Sequence, residues 1–130
     1  MNNVVLKGYK VTKLEFVNKH DKGTKVQLGN KVSYNVKYDG TRVCIGELSV
    51  ETFDKQAEDK FGVKIVLTGI FEYNPEKEKE IIHVATFKEL YPLCKSIIIA
   101  VSANAGIPPI IIPPFDVEGH DIYRFEKPQK

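Results

Sequence analysis

Val32, Tyr34, Val36 and Tyr38 alternate with Lys31, Ser33, Asn35 and Lys37, the pattern of a strand with one buried and one wet face. The same period of two recurs at Val43 and Ile45, continuing to Leu48 and Val50, with Gly46 read as a bulge or crossing point. Phe61, Val63, Ile65 and Leu67 predict a fourth strand that runs on through Gly69-Ile70-Phe71-Glu72-Tyr73. Over residues 4–17 the alternation changes phase. Tyr9 and Val11 fall on one phase and Leu14 and Phe16 on the other, which predicts a β-bulge near Thr12-Lys13. Turns or loops are expected at residues 20–23, at the hairpin dipeptide Asp39-Gly40 and across the polar residues 55–60.

After Asn74-Pro75 the period lengthens. Residues 76–80 (EKEKE) read as a solvated charge run. Thr86 and Glu89 have the spacing of a capping box, and Leu90, Cys94, Ile97/Ile98, Val101 and Ala105 repeat at helical spacing until Gly106. The expected helix covers residues 86–105, and Pro92 marks where it begins or bends. Ser96, Ala100 and Ala103 form a small-residue face opposite the apolar stripe, where a lone surface helix would carry longer polar side chains. We read that face as a subunit contact. Residues 107–115 contain Pro108, Pro109, Pro113 and Pro114, which exclude a helix or a central strand. Ile110, Ile111, Ile112 and Phe115 make the segment too apolar for a free linker, so it is expected to lie extended along apolar surface.

Composition narrows the function classes. The chain has 130 residues, 42% hydrophobic and 28% charged, with a net charge of +2 from 19 basic and 17 acidic side chains. That balance suits one soluble domain and does not argue for nucleic acid. The longest apolar run, residues 97–101, is far below the ~20 residues of a membrane span. Met1 opens no basic-then-apolar leader, so a cytoplasmic location is expected. Cys44 and Cys94 alone make neither a disulfide framework nor a metal motif.

Several motifs in order carry a resemblance: Gly69-Ile70-Phe71 at a strand end, Tyr91-Pro92 at a helix start, Gly106-Ile107-Pro108-Pro109, and Pro113-Pro114-Phe115-Asp116. This set resembles the SecB chaperones, best over residues 63–125. The resemblance implies an α+β fold: a four-stranded antiparallel sheet with one long and one short helix packed on one face. The chain then divides as one domain, 1–130: sheet to 75, charged loop and long helix over 76–106, Pro-rich extended loop over 107–115, and a short helix over 116–126. It also implies a cytoplasmic holdase without enzymatic activity or cofactor, a dimer of dimers, whose apolar grooves hold unfolded or precursor polypeptides. The matching groove positions are Phe71, Tyr91, Ile110, Ile112, Phe115 and Tyr123. Where the family presents carboxylates to its motor SecA, this chain has Lys13, Val17 and Lys64, a charge pattern that opposes SecA docking. Service to a toxin–antitoxin pair or a mobile element is the alternative role.

Other chemistry has weaker support in the residues. Asp116, Glu118, His120 and Asp121 look like a metal or acid–base set, but no further His or Cys has ligand spacing, and carboxylates suit a helix start. Cys94 with His83 is a poor nucleophile pair because Cys94 falls on the apolar stripe. Single-strand nucleic-acid or small-ligand binding through Tyr34, Lys37, Tyr38 and Arg42 is a different class of reading; the tyrosines share the phase of Val32 and Val36, away from the lysines. A hot-dog or cystatin-like enzyme has no visible catalytic set.

Overall fold

The structure, a computed structural model, describes residues 3–113. Strands β1 (Val4–Asn18), β2 (Leu28–Asp39), β3 (Val43–Asp54) and β4 (Phe61–Tyr73) precede one long helix, α1 (Lys79–Asn104). All pairings are antiparallel and the order is β1-β4-β3-β2. β2, β3 and β4 are joined by hairpins, and β1 lies beside β4, a Greek-key order that puts β1 and β2 on opposite edges. Residues 19–27 therefore carry the chain past the ends of β4 and β3, fixed by Lys19 N–H to Lys60 C=O and Lys55 N–H to Gln27 C=O. The expected short helix, 116–126, lies outside the described residues.

The inner sheet face holds the expected apolar positions of β2 and β4 and Leu48 and Val50 of β3. Val43 and Ile45 instead fall on the outer face and Cys44 takes the inner place, because no bulge at Gly46 shifts the phase. Tyr34, Cys44, Leu48, Val50, Ile65, Leu67 and Phe71 are fully buried on the inner face. Gly46 is not a bulge: it pairs in register with Val36 and Gly69. Its missing side chain makes room for the Tyr34 hydroxyl, which would collide with any Cβ. Gly69 admits Leu90 of α1, 2.7 Å from where a Cβ would stand. Two paired glycines thus let a tyrosine and a helix sink into the sheet.

Helix α1 begins earlier than its sequence signals suggested. Glu78 occupies the N-cap in extended conformation without a side-chain cap bond. Thr86 is mid-helix and buried; its hydroxyl donates to the Ile82 carbonyl and accepts from the Tyr34 hydroxyl. A Thr-x-x-Glu spacing matches an exposed cap and an internal back-bonded threonine equally, and here packing against Tyr34 decides. Pro92 sits inside the helix on its exposed side. Gly106 ends it as expected, at φ +80°, with Ile107 N–H reaching the Ser102 carbonyl and Gly106 N–H the Ala103 carbonyl.

Ile82, Thr86, Leu90, Cys94, Ile98 and Ser102 are all fully buried and recur every four residues. At 3.6 residues per turn such a seam rotates about 40° per step, so it winds roughly halfway around the helix. The helix start rests on the sheet, whereas its end is covered by the Pro-rich segment. There the Ser102 hydroxyl donates to the Ile98 carbonyl and accepts from Ile110 N–H at 3.2 Å.

Candidate functional site

Of the open apolar surfaces on the described residues, two are the most extensive. The first is built by residues 107–113. Pro108, Pro109 and Pro113 keep this segment extended, and alternation sends Ile110 and Ile112 into the core while Ile111 is 69% exposed. The segment runs back along α1: Ile110 is tied to Ser102, and Pro113 C=O accepts from the Tyr91 hydroxyl at 2.6 Å. The Tyr91 ring stacks on Phe87, which meets Tyr34 edge-on. Burial pushes the Tyr91 hydroxyl up to about 12, so it remains a donor at any physiological pH.

Between this segment and the β1–β2 connection lies a cleft of about 890 Å³. Ile107, Pro108, Pro109 and Ile111 form one wall, Val26, Leu28 and Phe61 extend the apolar lining, and His20, Asp21 and Lys22 stand on the opposite rim. The rim is pinned by His20 Nε2, which lies 2.7 Å from Asp54 Oδ2, and by the His20 ring stacked on Phe61. The Gln56 backbone N–H, and then the His20 bond, hold the buried Asp54 carboxyl below its ordinary value.

The second surface lies on β1. The strand carries two register shifts, at Lys7 and at Thr12. Together they keep Leu6, Tyr9, Val11, Leu14 and Phe16 on the inner face, opposite Phe71, Gly69, Leu67, Ile65 and Val63 of β4. Cover over this strand ends at Leu6. Tyr9 is 51% and Leu14 48% exposed, with Val11 and Phe16 also open. The sequence reading found the phase break at Thr12; the break at Lys7, between Leu6 and Tyr9, has the same spacing of three and was not singled out.

The residues expected to line a groove divide between these surroundings. Phe71, Tyr91, Ile110 and Ile112 belong to the protomer's own core. Ile110 nevertheless lines the cleft, and Tyr91 lines a second hollow along α1 with Phe87 and Pro92, whereas Phe71 and Ile112 are closed in. Phe115 and Tyr123 lie outside the described residues, as do Asp116, Glu118, His120 and Asp121. Ser96, Ala100 and Ala103 are exposed on α1. Ile111, Leu28, Val26 and Ile107, which do face the cleft, were not singled out from sequence; for Ile111 the signal was its alternation between two buried isoleucines.

Among the described residues no catalytic set stands out. Cys94 and Cys44 are buried, and burial pushes their thiols up to about 12 and about 11, away from thiolate chemistry. His83 is buried on α1, which pulls its imidazole below its ordinary value. Among the described residues no His, Cys, Asp or Glu group could hold a metal ion, and no helix is long and apolar enough to cross a membrane. Tyr34 is fully buried, while Tyr38 packs on Tyr73 and under Lys79, so neither offers a stacking platform for bases.

No family model matches the sequence. An uncharacterized protein of Methanocaldococcus jannaschii, MJ0357, is 24% identical over 120 residues, covering 85% of this chain and 77% of the relative. Among solved structures, the Mycobacterium tuberculosis SecB-like chaperone Rv1957, in complex with a ChAD peptide from the HigA1 antitoxin, superposes with a TM-score of 0.68 at 11% identity. That match covers 87% of this chain and 91% of the other. A Streptococcus agalactiae protein of unknown function matches with a TM-score of 0.51 at 14% identity, over 85% of this chain and 97% of its own. The four-stranded antiparallel sheet with its long helix is a SecB-like fold.

Proposed function

We propose that the chain is a cytoplasmic, SecB-like holdase that binds extended polypeptide in the cleft between the β1–β2 connection and the Pro-rich segment. The observation that carries this reading is the cleft wall itself. An exposed isoleucine is held by flanking prolines in a segment that cannot complete a sheet, so apolar surface stays open without closing on itself. The similar Mycobacterium chaperone was solved with a peptide from an antitoxin, which supports polypeptide as the ligand class.

Self-assembly belongs to the same reading. Tyr9, Val11, Leu14 and Phe16 make a contiguous apolar strip on an edge strand, and Ser96, Ala100 and Ala103 make a smooth helix face; second copies of the chain would cover both, as a dimer of dimers. An antitoxin-type client fits better than SecA-coupled export. Lys13, Val17 and Lys64 share the outer sheet face, where an attractive docking surface for a basic motor region would need carboxylates.

The test is suppression of aggregation of a denatured client by light scattering. The wild-type chain should suppress it at stoichiometric amounts, and Ile111→Asp should lose most of the effect while keeping its circular dichroism and melting temperature. Ile111 is the diagnostic position because Ile110 and Ile112 are buried and their substitution would unfold the wall. Unchanged aggregation across several clients would sink the proposal.

A further inference from the structure

The two walls of the cleft differ in charge. Residues 104–113 contain no ionisable side chain, so the Pro-rich wall is wholly neutral. The connection opposite puts Lys22 and Asp21 on the cleft itself, with Lys19 and Lys25 exposed three residues to either side of Lys22. No ion pair among the described residues engages these three lysines. The neighbouring carboxylates are committed elsewhere: Asp54 to His20 and Gln56, and Glu58 to Lys31 at 3.8 Å. Lys55 and Lys60, on the adjoining β3–β4 connection, outnumber the remaining Asp59. An extended chain presents alternate side chains to opposite sides. A segment in this cleft would therefore set one row against the neutral wall and the other against the lysines.

Resting on the holdase reading above, we infer that the preferred client is an extended segment in which apolar residues alternate with Asp or Glu. Its apolar row packs on Ile107, Pro109 and Ile111, and its carboxylates meet Lys22 on the rim, with Lys19 and Lys25 adding positive charge beside it. The lysines act by desolvated pairing and by steering encounter, both sensitive to salt.

The experiment uses the full chain and three short fluorescein-labelled peptides with identical Ile/Val/Phe positions and Asp, Gln or Lys between them, titrated by fluorescence anisotropy. The Asp peptide should bind about tenfold tighter than the Gln peptide at low salt, with the Lys peptide weakest, and the gap should close at high salt. The triple variant Lys19→Gln, Lys22→Gln, Lys25→Gln should remove the preference and leave Gln-peptide affinity unchanged; all three lysines are exposed, so the fold tolerates it. Equal affinity for the Asp and Gln peptides would overturn the charge inference and leave the holdase reading standing. Failure of all three to bind, with Ile111→Asp without effect, would overturn both. Self-association abolished by the triple variant would assign the cleft to a second copy instead. Acid-to-amide changes at Asp116, Glu118 and Asp121 that raise binding of every peptide equally would assign it to the chain's own C-terminal residues.

Discussion

At the scale of single residues, two glycines and two thiols decide more than their size suggests. A methyl group at Gly69 would meet Leu90, and one at Gly46 would meet the Tyr34 hydroxyl. Gly69→Ala and Gly46→Ala should each lower stability by about 1–3 kcal/mol, read as a shift in urea midpoint without a change in slope. Tyr34→Phe should partly rescue Gly46→Ala, because it removes the colliding oxygen; a rescue of Gly69→Ala as well would show that the two contacts are not separate. Cys44 and Cys94 should resist a thiol reagent at mildly alkaline pH and react at the rate of unfolding, since burial keeps both protonated. His83 sets the pH response. Its folded imidazole is held below the unfolded value of about 6.5, so the unfolded chain binds the extra proton and stability falls as pH drops through that value. Asp54, held low when folded, stabilises the fold above its unfolded value and loses that contribution as pH falls through the folded one. Melting temperatures should decline from pH 7 to 5 in the wild type and stay nearly level in His83→Gln.

At the scale of elements, β1 and α1 show what was legible and what was not. Alternation identified all four strands because a period of two survives in a sheet with one wet face. It identified the break at Thr12 for the same reason. It could not say that cover over the inner face stops at Leu6, because an exposed Tyr9 and a buried Tyr34 look alike in a strand pattern. Helix α1 was found, but its start was placed seven residues late, at Thr86 instead of Lys79. The first turns, with Lys79 and Glu80 among them, read as a charge run, and the four-residue seam of buried positions departs from the 3.6 period that marks an amphipathic helix. Groove residues were recognised by type, yet type does not reveal which isoleucine of three turns outward. Deleting Thr12 should expose the role of the β1 bulge. Val11 and Leu14 would then stand two residues apart on the inner face, opposite Leu67 and Ile65 as before, so pairing with β4 and any self-association should persist, as seen by hydrogen exchange and light scattering.

At the scale of the whole molecule, two open apolar surfaces lie on different parts of one sheet. The end formed by residues 19–27 and 107–113 holds the cleft, and the β1 edge holds the apolar strip. Across the outer face Lys31, Glu51, Lys64 and Glu15 alternate in sign on one rung of four strands, which favours this register over a slip by two. Leu14→Lys together with Tyr9→Glu should reduce the assembly, by light scattering, to a smaller species while leaving peptide binding to the cleft within a few-fold of wild type. A monomeric wild type at micromolar concentration would remove the assembly from the reading.

The Greek-key order has a further consequence, for synthesis. Of the four described strands β1 is made first and waits longest for its partner, because its pairing with β4 requires the chain to have reached Tyr73. At translation speeds of about 5–20 residues per second, Tyr9, Val11, Leu14 and Phe16 wait roughly 3–10 s without a sheet to join. During that interval the nascent chain is itself an unfolded polypeptide showing an apolar row. Lys7, Lys10 and Lys13 on the same stretch guard it against premature association.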